Sequence, residues 1–95
     1  MKTYRTDSSV IHAVRFTANR DNPRFGTLRV WFNSRSVYDY LDVPESVAEL
    51  LTYRLVGLGK GGALLLTSTG RVYNMLIKGQ YRCIKRYGYR VPRWT

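Results

Sequence analysis

Apolar and polar positions alternate from Val10 to Phe16. Val10, His12, Val14 and Phe16 fall on one side; Ile11, Ala13 and Arg15 fall on the other. A period of two marks a half-buried β-strand. The same period returns from Thr27 to Asn33, where Leu28, Val30 and Phe32 line one face and Arg29 and Trp31 line the other. Between them, Thr17 to Gly26 holds Asn19, Asp21, Asn22, Pro23 and Gly26. These turn formers predict a loop of roughly ten residues. A turn at Asn33-Ser34-Arg35-Ser36 leads to a third strand over Val37 to Leu41, favoured by Val37, Tyr38 and Tyr40. Connections this short cannot carry a parallel crossover, so the three strands form an antiparallel meander.

The period then changes. Pro44 suits the first position of a helix, and Glu45 suits the positive helix end. Val47, Leu50, Leu51 and Arg54 share a stripe at helical spacing, whose apolar part covers the sheet. Gly57, Gly59, Gly61 and Gly62 end that helix. Leu55 to Leu66 reads as a glycine loop followed by a short helix or an extra strand. Thr67 or Ser68 caps a last helix through Asn74 and Ile77, with Gly79 as its stop. From Tyr81 onward the chain is basic and aromatic without a clear period, and Pro92 argues against regular structure at the end. The expected fold is α+β: a three-stranded antiparallel β-meander followed by two short helices packed on one face, with a basic C-terminal strand or tail.

Ninety-five residues, 44% of them apolar, suit one domain over 1–95, and no repeat or linker divides it. No run approaches the ~20 apolar residues of a bilayer-spanning helix. The start of the chain lacks the apolar core of a signal peptide. Cys83 is the single cysteine, which excludes an intrachain disulfide and a cysteine zinc site. A reducing, cytoplasmic setting is the expectation.

Charge changes the picture more. All six acidic residues lie before residue 50, where they meet seven Lys and Arg and leave +1; residues 50–95 carry nine cations and no carboxylate. Unneutralised positive charge attracts polyanions. Twelve of the sixteen cations are Arg, which grips phosphate bidentately and stacks on flat rings. In the tail over 82–95 and just before it, Lys78, Arg82, Lys85, Arg86, Arg90 and Arg93 interleave with Tyr81, Tyr87, Tyr89 and Trp94. Cations track a phosphate backbone and rings accept unpaired bases. Lys60 and Arg71 extend this basic track. Were the tail a strand, Arg82, Arg86 and Arg90 would share one face, opposite Tyr81, Cys83, Lys85, Tyr87 and Tyr89.

Other features give less. Tyr38 and Tyr40 share a strand face and resemble a base-stacking pair, but a small sheet needs that face covered, which favours packing beneath the helices. In Gly57-Leu58-Gly59-Lys60-Gly61-Gly62 the lysine is followed by Gly61, so the spacing of a nucleotide-binding loop is not met, and a flexible connection is favoured. His12 lacks neighbouring ligands and is read as packed or strand-exposed. Cys83 sits among cations but is read as buried and inert. Asp39 and Asp42 form no acid/base pair.

Several pieces occur in a familiar order: Ser8-Ser9 before an apolar strand, Leu28-Arg29-Val30-Trp31-Phe32, Val37-Tyr38-Asp39-Tyr40 leading to Val43-Pro44, then Ser68-Thr69-Gly70-Arg71-Val72-Tyr73-Asn74 and Ile77-Lys78-Gly79-Gln80-Tyr81. Over roughly residues 8–81 the chain resembles the KTSC domain family, a small domain found alone in bacterial and phage proteins and at the C-terminal end of some lysyl-tRNA synthetases. Tyr38 and Tyr40 match the family's Tyr-x-Tyr motif; Ser68, Gly70, Asn74 and Ile77 match its later pattern. The chain departs from it by an insertion at about 52–66 and by the basic tail. The resemblance implies an RNA partner, and the small basic form fits a phage-encoded protein. The expected function is non-catalytic binding of RNA or single-stranded nucleic acid. The alternatives are a phage-type modulator of an acidic host protein and, third, a small toxin-like ribonuclease. No catalytic residue, metal or cofactor is expected, nor a membrane partner; an exposed strand edge allows a homodimer.

Overall fold

Strand alternation runs further along the chain than its turn-forming residues suggest. A computed structural model describes residues 3–6, 10–52, 55–57, 64–66 and 69–87. Their elements are β1 (Thr3–Arg5), β2 (Ile11–Ala18), β3 (Phe25–Phe32), β4 (Val37–Pro44), α1 (Glu45–Thr52), β5 (Leu55–Gly57), β6 (Leu64–Leu66), α2 (Thr69–Leu76) and β7 (Cys83–Arg86). The architecture is α+β, strands first.

The expected meander is present as β2, β3 and β4, all antiparallel, but the sheet has five strands in the order β1-β2-β3-β4-β7. β1 adds to one edge, with Thr3 opposite Arg15, and β7 adds to the other, with Asp39 opposite Ile84. Short edge strands leave little periodicity to read, and their pairing is set by the neighbour they meet. The β2–β3 connection is also shorter than expected. Thr17 pairs with Thr27 and Ala18 with Gly26, so the ladder consumes both ends of the expected loop. Here a Cβ on Gly26 would stand 2.3 Å from the Thr17 carbonyl oxygen and 2.7 Å from the Phe16 ring. Only glycine fits that crossing.

Two bulges correct the expected faces. His12 is an extra residue between the pairs Ile11–Phe32 and Ala13–Trp31. Ile11 therefore joins Val14 and Phe16 on one face, while Ala13 and Arg15 keep the other. A second irregularity lies between Gly26 and Leu28 opposite the end of β4, where Asp42 takes φ 54°. It lets β4 continue to Pro44, which pairs with Phe25. Pro44 thus ends a strand, a position that tolerates a missing N–H, and the helix begins at Glu45, whose N–H donates to the Arg24 carbonyl at 2.7 Å. The β3–β4 turn is as expected: Arg35 N–H donates to Phe32 O, and Arg35 takes φ 70°, the geometry of a three-residue hairpin loop.

Ile11, Val14, Leu28, Val30, Tyr40 and Val43 from the sheet form one buried cluster with Ala48 and Leu51 of α1 and with Val72, Tyr73 and Ile77 of and after α2. α1 lies against β2, β3 and β4, whereas α2 packs chiefly on α1. Both helices thus feed one core, but only the first runs broadly across the strands. Gly79 takes φ 74° after α2 and turns the chain back toward β7. Residues 55–66 include an antiparallel pair, β5 with β6, in a two-stranded sheet of its own. Thr67 and Ser68, the expected caps, and Arg54 lie outside the described residues. A second cluster of Ala13, Trp31 and Val37 is buried on the other sheet face, and neither helix contributes to it.

Candidate functional site

Sheet pleating divides the polar residues between two sites. On the helix side, Tyr38 and Tyr40 do not form an open platform. Tyr40 is buried at 4% exposure, and its hydroxyl shares a short hydrogen bond with that of Tyr73. Burial pushes the Tyr40 phenol up, and the bond to Tyr73 adds to this. The Tyr38 ring packs edge-on to Phe32, with centroids 5.7 Å apart. The aromatic pair belongs to the core, as the need to cover a small sheet requires.

Cations and an exposed ring collect instead where α2 hands over to β7. Antiparallel pairing sends Cys83 and Lys85 to the face of Tyr40 and Tyr38, and Ile84 and Arg86 to the face of Asp39 and Val37. The Lys85 ammonium stands 5.4 Å from the Tyr87 ring centroid and 6.0 Å from that of Tyr38. Tyr87 is 78% exposed, the most exposed large hydrophobic residue among those described. Arg82 is exposed, and its carbonyl accepts from Leu41 N–H at 2.8 Å, extending the β4–β7 pairing by one rung. Lys78, just after α2, and Arg71 on it are exposed. Tyr81 is half-buried and packs on the core. Cys83 is exposed, not buried, because the edge strand that carries it has a neighbour on one side only among the described residues. Lys60, Tyr89, Arg90, Arg93 and Trp94 lie outside the described residues.

Arg86 has a different setting from Lys85. Its Nε donates to Asp39 Oδ2 at 2.8 Å across β4 and β7. Arg29 grips the same carboxylate from β3, Nε to Oδ1 at 2.7 Å and Nη2 to Oδ2 at 2.9 Å. Asp39 is the single buried charged residue among those described, at 2% exposure. Burial alone would raise its pKa; the hydrogen bonds and charges of Arg29 and Arg86 outweigh this and hold the carboxyl below its ordinary value. Beside this triad, the Arg15 guanidinium lies 5.2 Å from the Trp31 ring centroid and that of Arg29 5.9 Å. An open depression of about 270 Å³ is lined by Arg15, Thr17, Thr27, Arg29 and Asp39. Among the described residues, Trp31 Nε1 is the buried side-chain polar atom without a hydrogen-bond partner.

Sequence reading placed Arg29 with Trp31 but did not assemble this cluster. Each member sits at an alternate strand position, so the faces were available; the inter-strand register was not. Among the described residues no group of His, Cys, Asp and Glu has the arrangement of a metal site. No helix among them is long and apolar enough to cross a membrane.

No curated protein matches the chain. The family model of the KTSC domain matches residues 7–53, which take in β2, β3, β4 and α1 and end before β5. The later pieces, from Ser68 to Tyr81, lie beyond the match. Through the meander and the helix that covers it, residues 7–53 belong to the KTSC domain family.

Proposed function

We propose that this chain is a non-catalytic nucleic-acid-binding module that takes RNA or another single strand along the β7 edge. The observation that carries the reading is the pairing of Lys85 with the exposed Tyr87 ring on an edge strand, with exposed Arg82, Lys78 and Arg71 nearby in the chain. Residues 69–87 hold five cations and no carboxylate. A cation beside an exposed ring serves both halves of a nucleotide: the charge meets phosphate, and the ring meets a base face. Tyr89, Arg90, Arg93, Trp94 and Lys60 would lengthen the track. A phage origin and a cytoplasmic setting fit this reading.

The test is fluorescence anisotropy with a labelled single-stranded RNA over a range of salt concentrations. Tyr87→Ala is expected to cost about 1–3 kcal/mol of binding, the worth of one stacked base. Replacing Arg82 and Lys85 by Ala is expected to lower the log–log salt slope by about 0.7 for each phosphate that is no longer neutralised. An unchanged slope overturns the reading. Labelled RNA that returns as fragments would instead mean a nuclease. A lysate partner retained after nuclease treatment would mean a protein modulator.

A further inference from the structure

The β4–β7 ladder uses only part of the main chain of β7. We infer that the rest reads base edges: the outward N–H and C=O groups of Cys83 and Lys85 hydrogen-bond to unpaired bases, so the module takes strands whose Watson–Crick edges are free. This rests on the reading of the β7 edge as an RNA track and names what that track recognises.

Register fixes which groups face out. Along an antiparallel strand, residues that exchange both N–H···O bonds with the partner alternate with residues whose N–H and C=O point away from it. Leu41 N–H donates to the Arg82 carbonyl at 2.8 Å, so the Arg82 main chain faces β4. Ile84, opposite Asp39, and Arg86, opposite Val37, face it too. Cys83, opposite Tyr40, and Lys85, opposite Tyr38, therefore turn their main-chain groups away. Among the described residues, no strand lies on that side of β7. Each outward residue offers a donor and an acceptor, and an unpaired base is hydrogen-bonded through the same kinds of group on its Watson–Crick edge.

The edge favours a base over a protein strand as its occupant. β7 has four residues, Cys83–Arg86, so an added strand would gain bonds from Cys83 and Lys85 alone. A short edge strand that carries charged side chains, Lys above all, discourages strand addition, whereas the same cations attract a polyanion. At the end of the strand the exposed Tyr87 ring, beside the Lys85 ammonium, offers a base a face to stack on. Spacing adds a requirement. Residues two apart on a strand stand about 6.8 Å apart, while neighbouring nucleotides of a stacked strand advance about 3.4 Å. Adjacent bases reach both Cys83 and Lys85 only when they are splayed apart, which single strands permit.

Proline separates main-chain from side-chain effects. An edge strand tolerates it where the N–H would face solvent, so Cys83→Pro removes one outward donor and keeps the β4 ladder. The experiment is fluorescence anisotropy of the full chain with a labelled uridine-only RNA, alone and hybridised to its complement. Cys83→Pro is compared with Cys83→Ala: both lose the thiol, and only the first loses the N–H. The proline variant is expected to bind the single strand at least about twofold more weakly than the alanine variant, the worth of one hydrogen bond. Their salt slopes are expected to be equal, since no cation is lost, and their affinities for the duplex alike. Lys85→Pro against Lys85→Ala repeats the comparison at the second outward residue, and a difference in either pair supports the inference. Equal single-strand affinities within both pairs overturn it, as does an equal loss on the duplex. Failure of both proline variants to fold also overturns it, because their N–H groups would then be needed within the sheet. A glutamate-only peptide that binds with the same proline dependence, where RNA shows none, assigns the edge to strand addition by a protein. The parent reading is decided separately: no RNA binding, or a salt slope unchanged by replacing Arg82 and Lys85 with Ala, sinks both, whereas a lowered slope with equal Cys83 and Lys85 pairs sinks this inference alone.

Discussion

At the scale of single residues, Asp39 is where sequence and electrostatics meet most closely. A carboxylate at 2% exposure is tolerated because Arg29 and Arg86 approach it from opposite sides. Its folded pKa lies below the unfolded value of about 3.9. Between those two values the folded chain binds fewer protons than the unfolded one, so stability rises with pH there. The contribution is complete above about pH 4 and is lost as pH falls through the folded value. Asp39→Asn is expected to lower stability by about 2–3 kcal/mol near neutral pH, less than for a fully buried pair because both guanidiniums reach solvent. It should also flatten the acid limb, which urea melts at several pH values between about 2 and 6 would show. Tyr73→Phe tests a second polar contact. It leaves the Tyr40 hydroxyl buried without its partner, and a loss of about 1–2 kcal/mol is expected in the same melts. A neutral outcome would mean that the Tyr40 hydroxyl finds another acceptor.

At the scale of elements, close approach matters more than propensity. Gly26 sits where β2 crosses β3 and where the Thr17 carbonyl leaves no room for a methyl group. The atoms in the way are largely backbone, so relief requires strand movement. Gly26→Ala is expected to cost about 2–3 kcal/mol and to lower Tm by circular dichroism. Gly79→Ala acts through φ alone, since no atom lies within 4 Å of the added methyl, and about 1 kcal/mol is expected. The eight-residue strands β2, β3 and β4 were legible from the chain, as were both helices. The three-residue strands and the bulge at His12 were not. A bulge leaves local composition unchanged and alters only the count between two strands. The same limit hid the cluster around Asp39. Arg15, Arg29, Asp39 and Arg86 come from four strands, and nothing in one strand records its register with the next. The basic aromatic segment was legible in composition. That Lys85 and Arg86 would face opposite sides follows from alternation once the segment is known to be a strand.

At the scale of the whole molecule, charge sets the terms. A net charge of +10 on 95 residues repels itself, and it does so more strongly in the compact state than in the unfolded one. Raising sodium chloride from about 20 mM to about 200 mM shortens the Debye length and should raise Tm by a few degrees. Differential scanning fluorimetry at the two salt concentrations makes that comparison directly. Equal Tm values would mean that self-repulsion does not limit stability.

Arg86 meets Asp39 across 47 residues of chain. A protein made from its N-terminus can form the meander and its first covering helix long before Arg86 exists. Until then the buried carboxylate has Arg29 alone from this triad, and the edge of β4 awaits its neighbour. β7 therefore works as a clasp: the buried carboxylate gains its second guanidinium only once that strand has been made and has docked on β4.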